Sequence, residues 1–308
     1  MLFKLLGRYI RPYRGKIVAV LVLQLIAAVA SLQLPSLNAS IIDDGVAKGD
    51  TAFISSHGAL MLGVALIQAL AQIAAVYFAA RIAMAFGRDV RAGVFNRALS
   101  FSVREVNQFG APSLITRTTN DVQQVQMLVL MTGAIMVGAP MIMIGGIIMA
   151  LRENIGLSWL IVVAVVLLGS VVGLIVTRMT PLFQANQRKL DTLNQVVREQ
   201  ITGIRVIRAF NREPLERERF RVANDDLMRL GYAIGGLFAI LFPFVTLVMN
   251  MGSVSVMWFG GRGVEAGDME IGQLTAYLTY LMQILMSVMM ATMMGMMAPR
   301  AVVCAGRI

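Results

Sequence analysis

The sequence predicts an all-α integral membrane protein whose six transmembrane helices carry long cytoplasmic helical extensions. Three observations predict it. Charged residues are 14% of the chain and hydrophobic residues 57%, with a mean hydropathy of +0.73; soluble domains average about 25% charged. The apolar residues gather in runs close to the roughly 20 that a helix needs to cross a bilayer. The basic residues lie between those runs, and almost all on one side of the membrane that the runs define.

The expected spans are about 17–42, 58–80, 127–151, 157–177, 232–260 and 271–298. The first carries a decoy. Basic residues from Lys4 to Lys16, an apolar stretch and Ala28-Val29-Ala30 have the form of a secretory signal. The apolar run continues to Ile42, however, so it reads as a retained span. None of the six has an ionisable residue in its central stretch; the polar residues are Gln24, Gln33, Asn38, Gln68, Gln72, Asn250, Gln273 and Gln283. With the N-terminus inside, the inner segments hold 24 of the 27 basic residues, which makes the inner face +14 and the outer −4. Lysine and arginine mark the cytoplasmic side, so a cytoplasmic N-terminus and a plasma membrane, the inner one of a bacterium, are expected. The pI near 10.5 is then a topology signal, and no nucleic-acid partner is expected. A single cysteine, Cys304, and a single histidine, His57, build neither a disulfide framework nor a metal site.

The inner loops distinguish this protein. Long loops without structure of their own are uncommon, and these two carry helical periodicity. Arg81, Arg88, Arg91 and Arg97 alternate with Ile82, Phe86, Val90, Val94, Phe95 and Leu99, an amphipathic continuation of the second span reaching about 28 Å past the membrane. Pro112 and Ser113 start a helix that climbs from Leu114 to Gln126 into the third span. The second loop repeats the plan. Leu182, Leu190, Leu193, Val196, Val197, Ile201, Ile204 and Ile207 extend the fourth span to Phe210. Asn211 and Pro214 punctuate a turn, and the return helix carries Glu216, Arg217, Glu218, Arg219 and Arg221 on its wet faces. Each loop is thus a helical hairpin with a short crosspiece, near Arg104–Ala111 and near Ala209–Glu213.

Local motifs complete the pattern. Arg88-Asp89-Val90-Arg91 precedes Val94-Phe95, and Ser113-Leu114-Ile115-Thr116-Arg117-Thr118-Thr119-Asn120-Asp121-Val122 follows the first crosspiece. Gly203-Ile204-Arg205-Val206-Ile207-Arg208-Ala209-Phe210-Asn211-Arg212-Glu213 forms the second. In order and placement these resemble the transmembrane domain of exporter-type (type IV) ABC transporters along the whole chain, with Pro112 where glycine is more usual. The resemblance implies a domain-swapped dimer, homodimeric or heterodimeric. It also implies that the crosspieces are coupling helices seated in ATP-binding domains. Carried over, Glu105, Val106, Asn107, Gln108 and Phe109 and then Ala209, Phe210, Asn211, Arg212 and Glu213 would transmit ATP-driven closure. The chain has no G-x-x-x-x-G-K-[ST] string, whose backbone amides and lysine would cradle phosphates. No catalytic residue or cofactor is therefore expected in this segment. ATP and magnesium belong to a nucleotide-binding domain, fused or separate, and Arg300–Ile308 resembles the start of the linker to it.

The expected cargo is apolar or amphipathic: a drug, a lipid or a peptide-like molecule. Methionines crowd the last span (Met282, Met286, Met289, Met290, Met293, Met294, Met296 and Met297) and the third (Met127, Met131, Met136, Met141, Met143 and Met149), and methionine suits promiscuous surfaces. The candidate cavity residues are Gln68, Gln72, Asn250, Gln283, Met286 and Met290. Two alternatives stand beside the exporter: an importer on the same fold, and a non-ABC secondary transporter. Ion-coupled carriers place ionisable residues within the membrane, and these spans hold none.

Overall fold

A computed structural model describes the backbone of residues 2–308, and their side chains except at positions 3, 4 and 293–299. Met293, Met294, Met296 and Met297 lie outside the described side chains. The order is α1 (Leu2–Ile10), α2 (Arg14–Ser40), α3 (Thr51–Leu99), α4 (Val103–Phe109), α5 (Ala111–Thr116), α6 (Val122–Met131), α7 (Gly138–Glu153), α8 (Ser158–Ala209), α9 (Glu213–Ala266) and α10 (Ile271–Arg307). No strand occurs among the described residues. Among the described residues six helices are long and apolar enough to cross a membrane; the first five expected spans fall inside such stretches, and the sixth stretch is Ile271–Thr292, residues 293–298 of the expected span lying outside the described side chains. The chain is a multi-pass membrane protein. Helices α3, α8 and α9, of 49, 52 and 54 residues, are about 74–81 Å long, more than twice the roughly 30 Å hydrocarbon core. The surplus is the hairpin extension read from the periodicity.

The chain divides into two compact units, residues 1–165 with 251–308, and residues 166–250. In the first, α10 packs on α2, α6 and α7, and α3 packs on α2 and α6. The inward stripe of α10 is Tyr277, Tyr280, Leu281, Ile284 and Leu285, each without exposure, at the spacing of one helix face. Both tyrosines need a partner for their hydroxyls when buried. Tyr277 donates to the Leu157 carbonyl at 2.7 Å and Tyr280 to the Leu32 carbonyl at 2.8 Å. The second unit is a helical hairpin. Lys189 pairs with Asp226 at 2.6 Å, Glu199 with Arg219 at 2.7 Å, and Gln200 Nε2 donates to the Glu216 carbonyl at 2.8 Å. These rungs fix an antiparallel register.

Three short π turns interrupt the first unit: Ile41–Val46, Arg117–Asp121 and Thr132–Met136. A π turn inserts an extra residue and displaces the i→i−4 ladder, which leaves carbonyls to satisfy. At the third, Gln24, 3% exposed, donates its amide to the Gly133 and Ala134 carbonyls at 3.2 and 3.0 Å.

Candidate functional site

The first hairpin tip is a helix clamped from both ends. Ser102 caps α4: its Oγ accepts from the Glu105 N–H at 3.3 Å, and its own N–H donates to Glu105 Oε2 at 2.7 Å, a reciprocal capping box. These bonds, the backbone one first, hold the Glu105 carboxyl below its ordinary range. Gly110, at φ 76°, takes a left-handed conformation that glycine adopts without strain and turns the chain into α5. The rings of Phe101 and Phe109 stack with centroids 5.5 Å apart and 17° between planes. The guanidinium of Arg117 sits 5.0 Å from the Phe109 ring and that of Arg97 5.8 Å from the Phe101 ring, a distance at which cation and ring attract. Of the five expected coupling residues, Val106 is half-buried, while Glu105, Asn107, Gln108 and Phe109 are exposed. Sequence reasoning passed over Ser102 and Phe101, and placed Arg97 only on the wet face of the extension. The Ser102-Val103-Arg104-Glu105 pattern alone signals the cap.

Behind this tip, a cleft of about 850 Å³ runs between α1, the foot of α3, α5 and the end of α10. Arg8, Arg97, Arg117 and Arg307 line it, with no carboxylate. Arg117 donates to the Arg307 carbonyl at 2.9 Å, tying the α5 segment to the last turn of α10.

The second tip holds the turn that Asn211 and Pro214 mark in the sequence. The crosspiece Ala209–Glu213 is not a separate helix. Helix α8 runs through Ala209, residues 210–212 turn, and α9 begins at Glu213. The cause is local. Asn211 adopts φ 51°, its N–H bonds the Arg208 carbonyl at 3.3 Å, and the Arg212 N–H bonds the Ile207 carbonyl at 2.9 Å. That pair of bonds is the Schellman closure of a helix. Pro214 follows in the first turn of α9, where its missing N–H costs nothing. Ala209, Phe210, Asn211 and Arg212 are exposed and Glu213 is half-buried. Phe210 is 73% exposed.

The six candidate cavity residues are not gathered by any of the described cavities, of about 170, 310 and 850 Å³, which have other linings. Gln68 is half-buried and Gln72 exposed, one turn apart on α3. Gln283 is half-buried, and its Oε1 is buried without a hydrogen bond. Met286 and Met290, one turn apart on α10, are 46% and 47% exposed. Asn250 is exposed and belongs to the second unit. Among the described residues no group of three or more His, Cys, Asp or Glu is placed to hold a metal.

Comparison with known proteins gives a consistent picture. A family model described as the ABC transporter transmembrane region matches residues 17–288. Over all 308 residues the chain is 47% identical to an uncharacterized ABC transporter ATP-binding protein of Mycobacterium tuberculosis strain H37Rv, of which it covers 53%. It is 30% identical over 300 residues, 97% of the chain and 52% of the relative, to an uncharacterized ABC transporter ATP-binding protein of Bacillus subtilis. A fatty acid ABC transporter ATP-binding/permease protein of Mycobacterium bovis is 30% identical over 171 residues, 55% of the chain and 27% of the relative. The chain thus spans about half the length of the curated relatives that it matches end to end.

Proposed function

We propose a function from one premise: the chain belongs to the family of ABC transporter transmembrane regions. It is the membrane-crossing part of an ATP-driven transporter that moves an apolar or amphipathic molecule across the plasma membrane by alternating access, with its N-terminus in the cytoplasm. Membership in this family displaces the alternative of a non-ABC secondary carrier. The driving domain binds ATP and magnesium and is fused to this chain or travels with it. A second transmembrane subunit, identical or related, completes the pathway.

The exposed tip of the second hairpin carries the reading. Phe210 at 73% exposure is an aromatic anchor that no described side chain covers, at the end of a hairpin some 80 Å long. Exposed apolar clusters rimmed by charge mark protein interfaces, and buried aromatics supply most of an interface's energy. A groove in an ATP-binding domain would bury this ring. The first tip, α4, takes the companion groove. The separation of residues 166–250 as a unit supports a hairpin that crosses to the partner subunit. Exposed Met286 and Met290 and Gln283, whose buried Oε1 has no hydrogen bond, support a cavity wall for an amphipathic cargo, and the fatty acid transporter among the relatives is named for a cargo of that chemistry.

The test is made on the native polypeptide, purified in detergent. Vanadate-inhibited ATP hydrolysis that a long-chain fatty acid or another amphiphile stimulates is the expected result, and vesicle uptake in each orientation reads the direction. A native preparation in which no nucleotide-binding domain is present or copurifies, and which hydrolyses no ATP, sinks the reading.

A further inference from the structure

An apolar cavity of about 170 Å³ lies under the N-terminal helix, in the first unit. Leu6 and Ile10 of α1 roof it, Leu21 of α2 and Ile82 of α3 wall it, and Leu128 and Val137 mark its ends along the third span. Thr132 contributes the lone hydroxyl to the lining, and its Oγ1 faces Met136 Sδ at 3.9 Å. The cavity exists for a local reason. The π turn Thr132–Met136 shifts the register of the third span, and its Gly133 packs so closely that an added Cβ would lie 2.9 Å from the Ala79 Cβ. Two small residues meet there, and the larger side chains on either side stand apart. Walls that face such a space lack packing partners from this chain. An engineered cavity of about 150 Å³ with similar walls stays free of water and takes benzene, so this one has room for roughly a six-carbon length of hydrocarbon.

Exposed basic residues gather near its lower end. Arg8, Arg11, Arg14 and Lys16 are all exposed. Residues 1–16 contain no acid, and among the described residues none of these four makes an ion pair. Arg8, Arg11 and Arg14 recur every third residue, through the last turn of α1, the 3₁₀ turn Arg11–Tyr13 and the first turn of α2, so they share one side. The nearest acid on the adjoining helix is Asp89, and it is occupied: Tyr13 donates to it at 2.5 Å and Arg88 at 2.8 Å. Helix α1 itself has Leu2 buried and Leu5, Leu6 and Ile10 half-buried, with Arg8 exposed, the form of a helix that lies in the membrane interface. Unpaired basic residues at the foot of a span attract anionic headgroups.

We propose that this cavity and its basic rim form a binding site for a resident anionic phospholipid of the inner leaflet. One acyl chain fills the space under α1, and the headgroup phosphate rests on Arg11 and Arg14. The lipid is a structural ligand, separate from the transported cargo, and it fastens α1 to the second and third spans. The proposal rests on the orientation given above, which puts α1 at the cytoplasmic surface, but not on ATP hydrolysis.

The experiment uses the full native protein in detergent micelles doped with equal amounts of phosphatidylglycerol and phosphatidylcholine of the same acyl chains. Lipid that stays bound through washing is identified by native mass spectrometry. Retention of phosphatidylglycerol over phosphatidylcholine is expected. Replacing Arg11 and Arg14 together by alanine, surface changes that leave the packing alone, should cut the preference roughly tenfold. L21W, which fills the cavity mouth from a residue 40% exposed, should expel both lipids. Three results overturn the proposal: equal retention of the two lipids by the native protein, an unchanged preference in the arginine variant, or displacement of the bound lipid by soluble glycerol phosphate alone, which would mark an anion site without a chain pocket. Because retention is read without nucleotide, a failure here is distinct from a failure of the transporter reading.

Discussion

The two hairpin tips have the same task in the proposed transporter and are built in opposite ways. The first is a separate helix, Val103–Phe109, held by side chains: the Ser102–Glu105 box, the Phe101–Phe109 stack, and arginines over both rings. The second has no helix of its own. Two helices of 52 and 54 residues meet at a three-residue turn that backbone hydrogen bonds close, with Phe210 standing free. A side-chain-built tip can be loosened by deleting one group. A backbone-built tip resists that, and its vulnerable points are its φ angle and whatever its exposed ring docks against.

The largest effect should therefore come from F210D. The ring is 73% exposed, so its loss leaves the fold untouched. As an interface anchor it should carry about 2 kcal/mol or more, a drop of roughly thirtyfold in engagement of the ATP-binding domain. Loss of cargo-stimulated ATP hydrolysis at an unchanged melting temperature is the expected pair of readouts; full stimulation in the variant would remove Phe210 from the interface. Next in size is N211V. A β-branched residue at φ 51° should cost about 1–2 kcal/mol, seen as faster hydrogen exchange on both sides of the turn, with N211G neutral or slightly protective as its control.

How much of this contrast the sequence displays depends on what each device is made of. Periodicity from Arg81 to Leu99 and from Leu182 to Ile207 is enough to extend the helices, and α3 ends at Leu99 as that pattern expects. Asn211 and Pro214 are legible as a turn because their φ preferences are intrinsic. The form of that turn is not legible, since a Schellman closure uses backbone groups that any sequence has. The π turns hide for a related reason: one extra residue inside a helical run changes no composition, and the buried amide of Gln24 that services one of them reads as an ordinary polar residue in a span. The cargo residues are the least legible. Lipid is as apolar as a helix interface, so Met286 and Met290 carry the same hydrophobic signal whether they face bilayer, partner or cavity.

Two smaller predictions sharpen the comparison at the first tip. S102A removes the hydroxyl cap and should cost about 1 kcal/mol, which accelerates exchange of the Val103–Phe109 amides roughly fivefold and leaves residues 207–213 unchanged. The smallest effect is that of pH, and its sign follows from Glu105. The Ser102 N–H and hydroxyl hold that carboxyl below its ordinary range, so the folded tip favours the ionised form. Its contribution is complete above the ordinary glutamate value, about 4.3, and is lost as the pH falls through the lowered one. Protection factors over α4, corrected for intrinsic exchange, should fall on acidification through that window. In E105Q they should stay flat, because glutamine still closes a capping box without titrating. The second tip, closed by backbone groups alone, should show no matching step. Parallel loss of protection at both tips would trace the acid effect to the hairpins as a whole, and the division between a side-chain tip and a backbone tip would fall with it.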